Sequence, residues 1–63
     1  MKVKTLLKTF ERVNYVLQTK QGISLEEDFV GDSYDGSMYD DYKVVRIRTV
    51  SDIDTIYITI SEA

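Results

Sequence analysis

Residues 55–60 read Thr-Ile-Tyr-Ile-Thr-Ile, and the strict alternation sets Ile56, Ile58 and Ile60 on one face and Thr55, Tyr57 and Thr59 on the other. A period of two with β-branched and aromatic side chains predicts a half-buried strand with the isoleucines facing a core. Working back, residues 43–50 repeat the pattern: Val45, Ile47 and Thr49 share one face, and Val44, Arg46, Arg48 and Val50 share the other. The arginines mark the second face as the wet one. Ser51-Asp52-Ile53-Asp54 between these runs reads as a turn, because serine and aspartate side chains bond to nearby backbone and favour reversals.

Further back, Tyr15, Leu17 and Thr19 alternate with Val16 and Gln18, and Gly22 precedes Ile23-Ser24-Leu25, which predicts a hairpin of strands 15–19 and 23–25. At the start the period changes. Val3, Leu6, Leu7 and Phe10 fall at i, i+3, i+4 and i+7, the spacing of one stripe of an α-helix, here predicted over 3–13. Lys4, Lys8 and Arg12 then form a basic ridge, and Asn14 suits a helix end. The fold class expected is α+β: one N-terminal helix on a small antiparallel sheet of three to four strands, with a long acidic loop over 26–42. The core expected is Val3, Leu6, Leu7, Phe10, Leu17, Ile23, Leu25, Val45, Ile47, Ile56, Ile58 and Ile60.

At 63 residues the chain makes a single domain. A domain this small buries only about 60% of the surface its unfolded form exposes, so its stability is narrow and a homodimer through a sheet edge is an expected way to add to it. With no cysteine and no histidine, disulfides and the usual zinc ligand sets are excluded. No run approaches the about 20 apolar residues that span a bilayer, and Met1-Lys2-Val3-Lys4 does not open a signal peptide, so no membrane partner and a cytoplasmic location are expected.

The charges are unevenly placed. Residues 26–42 hold seven of the eleven acidic residues, three of the five tyrosines and no lysine or arginine, a charge of −7. The remaining positions hold all eight basic residues and sum to +4, so the formal net charge of −3 conceals a polarised molecule. A long connection is usually functional or disordered, and Phe29, Val30, Tyr34, Met38, Tyr39 and Tyr42 are too many apolar anchors for plain disorder. Tyrosines set among glycine and serine are typical of recognition surfaces; they also cap thin cores with a wet hydroxyl.

Two functional readings follow. In the first, Glu26, Glu27, Asp28, Asp32, Tyr34, Asp35, Tyr39, Asp40, Asp41 and Tyr42 bind a basic partner protein, a nucleic-acid-binding enzyme, through long-range steering that weakens with salt. Direct nucleic-acid binding by this stretch is disfavoured, because carboxylates and phosphates repel. In the second, Asp28, Asp32, Asp35, Asp40 and Asp41 hold a divalent cation such as Ca²⁺ or Mg²⁺, which prefers oxygen ligands; their spacing does not follow an EF-hand loop. Catalysis is not expected, since paired carboxylates need a pocket that separates their pKa values and a chain this short rarely encloses one.

The lysine-studded start, KVKTLLKTF, with short strands and the terminal TIYITISE, resembles the very small accessory proteins of bacteriophages and mobile elements of Gram-positive bacteria. Among these, the anti-CRISPR proteins are similar in charge and scale. The resemblance is one of size and layout over the whole chain. It implies a non-enzymatic inhibitor that occupies a basic surface of a CRISPR effector nuclease in the cytoplasm of the host cell.

Overall fold

The computed structural model describes residues 1–50 and 54–61, so the turn expected at 51–54 lies outside the described residues apart from Asp54. Five elements follow one another: α1 (Val3–Leu7), β1 (Val13–Gln18), β2 (Ser24–Val30), β3 (Lys43–Val50) and β4 (Thr55–Ser61). They form an α+β domain with one short helix and one four-stranded sheet of order β2-β1-β4-β3.

The sheet is mixed, where an antiparallel one was expected. β1 pairs antiparallel with β2, and β3 with β4, but β1 and β4 lie side by side in parallel. Alternation reveals which residues share a face and carries no information on strand direction. The two central strands supply most of the buried side chains: Tyr15, Val16 and Leu17 from β1, and Ile56, Ile58, Thr59 and Ile60 from β4. Val3, Leu6 and Leu7 of α1 and Val30 of β2 complete the core.

Four residues expected in that core lie outside it: Ile23, Leu25, Val45 and Ile47 are 63%, 37%, 46% and 42% exposed. Two β-bulges account for much of this. The register passes from Leu17↔Glu26 to Gln18↔Ser24, so Leu25 is an extra residue and the face shared with Leu17 is taken by Glu26, Asp28 and Val30. On β3 the register passes from Val44↔Ile60 to Arg46↔Thr59, which makes Val45 the extra residue and turns Val44 to the inner side. Ile47 does pair with Ile58, but it stands on an edge strand beyond the cover of a five-residue helix.

The helix stops at Leu7, six residues short of the expected end. Thr9 donates its hydroxyl to the Leu6 carbonyl at 2.6 Å, a side-chain bond that competes with continued helix, and Arg12 adopts a positive φ of 54° that turns the chain into β1. Arg12 therefore leaves the basic ridge, and Asn14 sits in β1 instead of ending a helix.

The stretch expected as one loop, 26–42, is divided. Residues 26–30 belong to β2, which extends well past the expected 23–25. Because β2 and β3 are opposite edges of the sheet, residues 31–42 must cross a face to join them. They do so beside α1: Val3 N–H donates to the Tyr42 carbonyl at 2.9 Å and Lys4 N–H to the Asp40 carbonyl at 3.1 Å. Tyr34, Tyr39 and Tyr42 pack against the core, the last two edge to face with ring centroids 5.2 Å apart. Helix and crossover together make the second layer.

A candidate acidic interaction surface

β2 carries three carboxylates in succession, and the alternation of a strand sends them to different faces. Glu26 lies on the inner side, where it accepts hydrogen bonds from the Tyr15 hydroxyl at 2.9 Å and the Ser37 hydroxyl at 2.8 Å. Asp28 shares that face and accepts the N–H of Phe29 at 2.8 Å. Glu27 points to the opposite face, exposed and without a partner among the described residues.

The crossover adds four more. Asp32 meets Arg12 at 3.3 Å, and Asp41 meets Lys2 at 3.5 Å and Lys4 at 3.6 Å. These are surface pairs with well-exposed side chains, each worth about 0–1 kcal/mol. Asp40 accepts the Tyr34 hydroxyl, and Asp35 is exposed with no partner among the described residues. Among the described residues, two of the seven carboxylates are thus matched by the chain's own cations, and Glu26, Glu27, Asp28, Asp35 and Asp40 are not.

The tyrosines hold the surface in place. Burial, and next the hydrogen bond to Glu26, push the Tyr15 phenol far above its usual value; burial and then the bond to Asp40 do the same for Tyr34. Folding keeps both phenols neutral, so their contribution to stability is complete below the unfolded value of about 10 and is lost as pH rises above it, where the unfolded chain releases its protons first. Thermal melts of the wild type should therefore show the melting temperature falling above about pH 10, and falling less in a Tyr15→Phe/Tyr34→Phe variant. Equal falls in both proteins would remove these two residues from the explanation.

The expected residues do not all come together. Glu26, Ser37, Tyr15, Tyr34 and Asp40 gather on the inner side, Glu27 faces away from them, and Asp32 and Asp41 go to separate cations. Among the described residues no group of three carboxylates is placed to hold a metal ion, so Asp28, Asp32, Asp35, Asp40 and Asp41 have no common focus and the divalent-cation reading gains no support from the geometry.

The sequence did not point to the open face of the sheet. A shallow groove of about 430 Å³ runs along β1 there, floored by Asn14 and Val16 and walled by Glu27 and Phe29 on one side and Tyr57 on the other. Phe29 is 54% exposed, and the Arg48 guanidinium stacks 4.8 Å from the Tyr57 ring centroid. The signal for it in the sequence is the alternation of Leu25, Glu27 and Phe29, which the three successive carboxylates at 26–28 mask. Among the described residues no helix is long and apolar enough to cross a membrane. No protein-family model matches the chain, and comparison with the curated proteins and the solved structures likewise gives no match.

Proposed function

We propose that this protein is a non-enzymatic binder or inhibitor that presents the carboxylates of β2 and the crossover to a basic protein surface. The observation that carries the reading is that, among the described residues, five of the seven carboxylates between residues 26 and 42 have no cation of the chain beside them. An edge strand bearing Glu26, Glu27 and Asp28 in a row, with Asp35 and Asp40 from the crossover, attracts a positively charged groove over a distance and leaves free nucleic acid unattracted. Nucleic-acid-binding enzymes offer such grooves. RNA-guided nucleases hold their guide–target duplex in a positively charged channel, which makes a phage-encoded anti-CRISPR role the specific form of the proposal.

The partner side chains meet carboxylates here and few free aromatic rings. Tyr34, Tyr39 and Tyr42 rest against the core, so steering and selectivity come from charge and the tyrosines set the shape of the surface. The test is capture from a bacterial lysate on immobilised protein, at low and at high salt, with mass spectrometry of what is held. The expected result is a basic nucleic-acid-binding enzyme retained at low salt and released as screening rises. Retention of nothing, or of a partner indifferent to salt, contradicts the proposal.

A further inference from the structure

The two open edges of the sheet carry opposite charge. β2 presents Glu26, Glu27 and Asp28 and no basic residue; β3 presents Lys43, Arg46 and Arg48 and no acidic one. Four of the exposed large apolar side chains stand on these same strands, Leu25 and Phe29 on β2 and Val45 and Ile47 on β3. We infer that a second copy of this chain docks edge to edge, the basic β3 of one copy adding to the acidic β2 of the next.

The backbone of β2 is free to accept a strand. Asn14 donates its N–H to the Asp54 carbonyl at 3.0 Å, towards the β4 side, so at the Asn14↔Phe29 pair β1 does not donate to β2. In an antiparallel ladder such a pair leaves the outer strand's N–H and C=O turned outward, at Phe29 and, two residues back, at Glu27. The Asp28 carboxylate takes up the Phe29 N–H; the groups of Glu27 stay open. On β3 the first two residues are covered by the chain's own start, through the Lys2↔Lys43 bridge and the Val44 N–H bond to the Met1 carbonyl at 2.8 Å. Residues 45–50 remain as the edge that docks.

Charge selects the pairing. Charged side chains normally blunt an edge against aggregation. That holds for two β2 edges or two β3 edges, which set like charges along each other; β2 against β3 sets Glu27, on the open face, beside the guanidiniums of Arg46 and Arg48 on that same face, while Glu26 and Asp28 on the inner face add to the opposite charge of the edge. Both edge strands run antiparallel to the central pair and so run the same way as each other. A shift along the sheet therefore brings β3 against β2 as a parallel pair, with the helices of both copies on the same side. Such a contact is heterologous and leaves one free edge at each end, so association continues past two copies. It draws on the β3 edge, which the partner reading does not use, and stands or falls separately.

Sedimentation velocity of the full chain over a range of concentration is the test. At about 0.01 M salt, where screening reaches about 30 Å, the mean mass rises with concentration beyond twice 7.3 kDa, and at about 1 M salt, where it reaches about 3 Å, it falls back towards one copy. Glu27→Pro blocks the acidic edge without removing a β1–β2 bond, since its N–H faces outward; Arg46→Glu blocks the basic edge. Each variant alone stays at the mass of one copy, and their mixture stops at two, because only one competent edge of each kind is left. A wild type of single-copy mass throughout, or a mixture that behaves as its components, overturns the inference. Should Glu27→Pro unfold, shown by circular dichroism, concentration-dependent amide shifts in the wild type decide instead: they fall on β2 and 45–50 if the inference is right, and elsewhere or nowhere if it is wrong.

Discussion

Replacing Ile58 with alanine is expected to destabilise the protein by about 2–5 kcal/mol, the cost of truncating a fully buried aliphatic side chain. Ile58 has no exposed surface, lies on a central strand, and is opposite Leu17 on one side and Ile47 on the other. A chain of this length has about 3–9 kcal/mol to lose, at about 0.05–0.15 kcal/mol per residue. The melting temperature should therefore drop by at least about 10 °C, and the cooperative transition is lost if the cost reaches the upper end. Ile47→Ala serves as the control. It shares the register pair but is 42% exposed, and its cost should stay below that of Ile58→Ala by a factor of two or more. Equal effects would mean that β3, and not the parallel centre of the sheet, carries the core.

The second large effect concerns binding. Reversing Glu27 and Asp35 together, Glu27→Lys with Asp35→Lys, is expected to lower partner affinity at low salt by at least about tenfold, which corresponds to about 1.4 kcal/mol. Both side chains are exposed and have no partner among the described residues, so the change acts on an incoming positive surface and not on the fold. The captured enzyme is the ligand for the measurement, with affinity read at two salt concentrations. The gap between wild type and variant should close at high salt, where exposed charges no longer feel one another. A variant that keeps wild-type affinity at low salt contradicts the proposed surface.

Much of the fold could be read from local pattern because it is written locally. Ile56, Ile58 and Ile60 are buried as their alternation requires, and Val3, Leu6 and Leu7 lie on the buried stripe of α1. What failed was non-local. The parallel pairing of β1 with β4 depends on which strands meet, and period-two patterns are the same for either direction. The bulges at Leu25 and Val45 add one residue to a strand, which exchanges its faces from that point on. Residues 26–30 look like loop in the sequence because three successive carboxylates resemble a solvated run, yet they belong to β2. On an edge strand, with one side of the backbone open, such a run is tolerated. At the candidate surface the same logic applies: the count of carboxylates was legible, and their partners were not. Nothing in the spacing of Arg12 and Asp32, twenty residues apart, or of Lys2, Lys4 and Asp41, announces an ion pair.

Central to the account is that the fold leaves carboxylates over, held at the surface and unused by the structure itself. The direct check is a thermal melt of Glu27→Gln/Asp35→Asn beside the wild type at low salt. The account predicts a melting temperature unchanged or raised, since two uncompensated negative charges leave a crowded acidic surface. A fall of about 4–8 °C, the shift that about 1 kcal/mol produces in a domain of this size, would show these side chains at work inside the fold and contradict it.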